Sequence, residues 1–121
     1  MQQRIQDIRQ RKELLVRIKE LQKSLTILLI QVENLEKKPL GQTYQDKKSK
    51  LRSLSDQLKQ LRFDYLKLAT AEMETLKSHL RNTISQIRAA EECDVDLEDR
   101  RFSLQHTIWA LQQEMDEVNR T

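Results

Sequence analysis

The chain has one proline and one glycine in 121 residues, and they stand two apart, at Pro39 and Gly41. Nothing else in it enforces a reversal, so it must be built from long uninterrupted segments joined near that point. Proline has no amide proton and pushes the preceding residue out of the helical region. A helix arriving from the N-terminal side should therefore stop near Lys37. Gly41 can take a positive φ without steric cost, which lets the chain turn back. Thr43, followed three residues later by Asp46, has capping-box spacing and predicts the next helix start. Lys37 and Lys38 fall where the dipole of the first helix is negative. Lys37 to Thr43 is read as punctuation in preference to a recognition loop.

Apolar periodicity on both sides of this stretch is helical. Leu14, Ile18, Leu21, Leu25, Leu28 and Val32 follow one another by alternating steps of four and three, a heptad seam that continues to Leu35. Upstream, Ile5, Ile8 and Leu15 lie one position off that seam. Beyond the bend, Leu51, Leu54, Leu58, Leu61, Tyr65 and Leu68 repeat the pattern, which slips by one position at Leu66 and continues to Ile87. A bend near residue 40 or 41 makes antiparallel partners sum to about 81, so Leu15 and Leu66, where the two seams slip, fall at the same level. The residues are mostly good helix formers, 34% are charged, and strand-like alternation is absent.

A second discontinuity, Cys93 to Asp99, gathers residues that suit a helix start better than a helix interior. Asp94 or Asp96 is a candidate N-cap, and Glu98 and Asp99 favour the positive end of a dipole. A bend is preferred here to one continuous helix. The third helix then carries Leu97, Leu104, Ile108, Leu111, Met115 and Val118. The expected fold is all-α: an elongated antiparallel coiled coil with a helical hairpin (about 2–37 and 43–92) and a third helix (about 97–119). Residues 1–121 are read as a single helical module, a fragment of a longer protein, because the periodicity is already running at Met1 and no stop signal precedes Thr121. The third helix should overlap the first only around residues 69 to 81. Charge is unevenly spread: residues 1–38 hold nine Lys/Arg and five Asp/Glu, residues 39–92 ten and seven, and residues 93–121 three and seven.

Reactive chemistry finds little support. Cys93 stands alone, so no internal disulfide exists and a reducing cytoplasmic location is expected. Its neighbours Glu91, Glu92, Asp94 and Asp96 are acidic, whereas reactive thiols favour electropositive sites. His79 and His106 lack zinc-binding spacing. The run from Asp94 resembles the opening of a calcium loop, but Asp99 replaces its glycine and Gln105 its closing glutamate. A single glycine forms no phosphate-cradling loop. No catalytic residue, cofactor or metal is therefore expected, nor a small-molecule substrate. The basic clusters around Arg9, Arg11 and Lys12 and around Lys47, Lys48 and Arg52 have interspersed acids and few aromatics. They read as solvated faces, not as nucleic-acid or membrane sites. No apolar run approaches the ~18 residues that span a bilayer.

The candidate sites are surplus apolar residues. Ile27, Leu29 and Ile30 lie outside the first seam, more than one partner helix covers. They are the expected self-association surface, in a homodimer. Phe102 and Trp109, seven apart, share a face outside the third seam. Either they complete the helix packing, with Trp109 covered at the level of Met1, or they anchor a protein partner.

The stretch from about Leu21 to Leu68, two heptad helices around Lys-Lys-Pro-Leu-Gly, resembles the antiparallel coiled-coil fingers of Rho-effector proteins. That resemblance implies a regulatory binding module for a small GTPase, although the long third helix departs from a simple finger. A spectrin-type three-helix repeat is a second likeness, departing in its unequal helices and its late Trp. The reading from the residues themselves is a non-catalytic interaction module of an intracellular scaffold or cytoskeleton-associated protein, binding a protein partner through apolar helix faces.

Overall fold

The structure is a computed structural model that describes residues 2–36 and 41–120, with side chains from Ile5 onward. It has three α-helices, α1 (Gln2–Glu36), α2 (Gln42–Ala89) and α3 (Val95–Asn119), and no strand occurs among the described residues. The chain is all-α, as its periodicity predicts. It divides into two compact units, Met1–Tyr65 and Leu66–Thr121, with α2 running through both. The division falls at Leu66, where the apolar seam of α2 slips.

The first unit is an antiparallel pair made by α1 and the first half of α2. Ile18, Leu28 and Val32 are buried from α1, and Tyr44, Leu58 and Tyr65 from α2. Burying a side chain of the Ile, Leu or Val class contributes at most roughly 1.5–3 kcal/mol, so this seam is what holds the two helices together. Polar bonds set its register near the bend. The Tyr44 hydroxyl donates to Glu36 Oε1 at 3.0 Å, and Lys47 Nζ donates to Gln31 Oε1 at 3.1 Å. The first pair fits the expected partner sum of about 81, and the long Lys47 side chain reaches about three residues beyond its expected partner. Lys48 lies with its ammonium 5.1 Å from the centre of the Tyr44 ring. Tyr44, through hydrogen bonding first and charge second, with a smaller contribution from the charge on Glu36, holds its pKa above the ordinary lysine value.

The start of α2 differs from expectation. Thr43 is not a cap, because the helix is already under way at Gln42. The Gly41 carbonyl accepts from Tyr44 N at 3.1 Å, so Gly41 occupies the capping position that glycine tolerates well. Gly41 does not take a positive φ. Asp46 accepts from Gln42 Nε2 one turn earlier at 2.9 Å instead of closing a box with Thr43. Lys37, Lys38, Pro39 and Leu40, the rest of the expected bend, lie outside the described residues.

The second unit holds the remainder of α2, a connection at 90–94 and α3. The chain leaves the helix at the second discontinuity, so one continuous helix is excluded. α2 ends at Ala89, about three residues before the expected limit, because Glu91 and Glu92 would place negative charge at the negative end of its dipole. Asp94 caps α3: its backbone is extended, and its Oδ1 accepts from Asp96 N at 3.0 Å and Leu97 N at 3.3 Å. That cap starts the helix at Val95, two residues earlier than expected. Ala69, Met73, Leu76, Leu111 and Val118 are buried in this unit. Thr83 is buried too, and its hydroxyl is satisfied within α2 by donating to His79 O at 2.9 Å.

Candidate functional site

An antiparallel pair covers one stripe of each helix and leaves the rest of α1 to solvent. In the first unit, an open groove of about 520 Å³ runs beside the seam. Leu21 and Leu61 line it, with Arg17, Glu20, Gln57 and Gln60 around them. A second depression of about 240 Å³ shares Ser24 with the first and is lined by Leu28, Leu54 and Ile27, with Gln31 and Lys50. The groove forms because leucines at the edge of each seam are half-buried, while short and polar side chains flank them.

Ile27, Leu29 and Ile30 are 59%, 45% and 53% exposed. Nothing within the described chain covers them. They do not form one patch. Ile27 and Ile30 are three apart and share a face, whereas Leu29 is about 200° around the helix from Ile27, on the other flank of the seam. The structure therefore brings two of the three together and leaves Leu29 apart.

Sequence reasoning missed the extent of the outer face. Val16 and Ile5 are exposed as well. Ile5, Val16 and Ile27 recur every eleven residues, three full turns, so they line up along one side of α1. A search for heptads passes over that interval. Of the residues read as off the seam near the N-terminus, Ile8 and Leu15 are half-buried and only Ile5 is exposed. Phe63, exposed on α2 with Lys59 and Lys67 one turn to either side, was also missed. It interrupts no period and carries no pattern to mark it.

In the second unit, Phe102 and Trp109 are 72% and 60% exposed. Packing within this chain leaves both rings more than half exposed, and the cover expected for Trp109 at the level of Met1 lies outside the described residues. Their face points away from Leu111 and Val118, the buried residues of α3, which lie about half a turn around the helix. His106 stacks against Trp109 with centroids 6.1 Å apart and planes 26° from parallel. Acids surround this aromatic row. Glu98 pairs with Arg101 at 2.7 Å, and Asp116 accepts from Gln112 Nε2 at 3.0 Å.

Groups that carry chemistry are scattered. Cys93 is a free, exposed thiol on the connection between α2 and α3. His79 and His106 are exposed, and no group of three metal-ligating side chains is found among the described residues. No helix among them is long and apolar enough to cross a membrane. What the two units offer chemically is helix surface: an aliphatic face with an adjoining groove on one, and an aromatic face on the other. Comparison of the chain with protein-family models, with curated proteins and with solved structures finds no match.

Proposed function

We propose that the protein is a non-catalytic protein–protein interaction module that works by presenting apolar helix faces to another helix, a second copy of itself foremost. The observation that carries this reading is the row of uncovered aliphatic side chains on α1, with Ile27 and Ile30 both more than half exposed on one face. Exposed β-branched residues in series are costly to leave in water and are best explained by a helix that covers them. The groove beside Leu21 and Leu61 adds an apolar seat next to that row. In this reading α1 and α2 pair as a coiled coil with interdigitating seams. Long charged helices suit a scaffold or cytoskeleton-associated protein, and the free thiol at Cys93 suits the reducing cytoplasm.

The test is absolute mass in solution across a concentration series. A species of twice the 14.5 kDa chain mass, reduced to one chain mass by the Ile27→Glu/Ile30→Glu double variant with helicity retained, is the expected outcome. A double variant with the mass of the parent would remove this face from the interface.

A further inference from the structure

The outer face of α1 carries cations in line with its aliphatic residues. At about 100° per residue, Arg9, Lys12, Lys19 and Lys23 fall on the stripe that holds Ile5, Val16, Ile27 and Ile30. All of these residues are exposed. Glu20, at one edge, is the only acid within the stripe.

The outer face of α3 is its opposite in charge. Phe102 and Trp109 share their stripe with the exposed acids Asp99 and Glu117. Glu98 and Asp116 flank it, and Arg120, at its end, is the one cation. The two stripes also match in length. Ile5 to Ile30 spans about 37 Å and Val95 to Glu117 about 33 Å, at 1.5 Å per residue.

We propose that the outer stripe of α1 in one copy docks on the outer stripe of α3 in a second copy. This rests on the interaction reading above and names its partner surface. Charge decides between the ways two copies can meet. Pairing α1 with α1 sets four cations against four, and pairing α3 with α3 sets acids against acids. Pairing α1 with α3 sets the cations of one stripe against the acids that stand near both ends of the other. The side chains fit as well: lysine and arginine stems pack over exposed aromatic faces, and their heads gain from the ring quadrupole. Two unlike faces make the contact heterologous, so a pair of copies makes it twice across a twofold axis or else the contact propagates into longer chains.

The experiment is a charge swap read by mass and by affinity. The native chain is expected to associate, and to do so less tightly as salt rises. Lys19→Glu/Lys23→Glu and Asp99→Lys/Glu117→Lys should each weaken association at least about tenfold, because each sets like charges opposite one another. Mixing the two variants should restore a complex, a result that misfolding cannot produce. If the native chain associates, Ile27→Glu/Ile30→Glu disrupts it and Asp99→Lys/Glu117→Lys leaves it unchanged, the α3 pairing is wrong while the interaction reading stands. If the native chain is monomeric at every concentration and its α1 cations instead bind vesicles of phosphatidylcholine and phosphatidylserine, both fail and the stripe is a lipid-facing surface.

Discussion

The two units solve the same packing problem with different material. The first closes on a seam of Ile18, Leu28, Val32 and Leu58, with Tyr65 fully buried. The second closes on Ala69, Met73, Leu76, Leu111 and Val118 and admits a threonine. Their outer faces differ more sharply, with aliphatics among cations on α1 and aromatics among acids on α3. The inner seams are interchangeable in kind, since any well-filled heptad pairs two helices. The outer faces are not, and under the proposed reading that contrast is the source of selectivity.

The largest expected effect separates inside from outside. Ile18→Ala and Leu111→Ala should each cost about 2–5 kcal/mol in urea unfolding, by lost transfer energy and residual cavity. Ile30→Ala and Trp109→Ala should stay within about 0.5 kcal/mol at protein concentrations where the chain is monomeric. A large monomer effect from Ile30→Ala would erase the distinction between seam and outer face. A next, smaller contrast concerns helix starts. Asp94→Ala should destabilise the second unit by about 1 kcal/mol through loss of the α3 cap. Thr43→Ala should be close to neutral, because Thr43 lies inside α2, and a cost equal to that of Asp94→Ala would put a cap back at Thr43. Tyr44→Phe should cost roughly 0.5–1.5 kcal/mol, the net value of one hydrogen bond, and the loss should disappear in a Glu36→Ala background, which has no acceptor, if that side chain is the partner that matters.

Lys48 supplies the smallest effect and a sign that can be checked. Its folded pKa is raised, so its contribution is fully present below the unfolded value and is lost as pH rises through the folded one. The stability difference between the parent and Lys48→Met should therefore be constant at neutral pH and shrink only above the ordinary lysine range. A difference that grows with pH there would reverse the assignment.

Much of the architecture was legible because it follows from period and punctuation. The partner sum near 81 came from the place of Pro39 and Gly41, and the Tyr44–Glu36 bond agrees with it. The slip at Leu66 is where the chain divides into its units. The cap of α2 was misread because a side-chain signature at Thr43 was preferred to the bare backbone of Gly41, which caps without any side chain to announce it. Half of the outer face was legible. Ile27 and Ile30 stand out in an apolar run, whereas Ile5 stands alone among polar neighbours, Val16 follows Leu14 and Leu15 as if part of the seam, and the two align with Ile27 only at eleven-residue spacing. Leu29 was grouped with them by proximity in sequence, although helix geometry turns it to a different side.

The bond between Tyr44 and Glu36 closes a loop of only eight residues, and the next, between Lys47 and Gln31, closes sixteen. Each further rung of the first unit lies outside the last and adds little closure entropy once the inner one is made. The order of assembly is thereby written into the register: the pair should zip from Tyr44 outward, quickly, because its early contacts are local. Amide exchange in the native state should show the reverse order, with protection in α1 rising from its N-terminal end toward Val32.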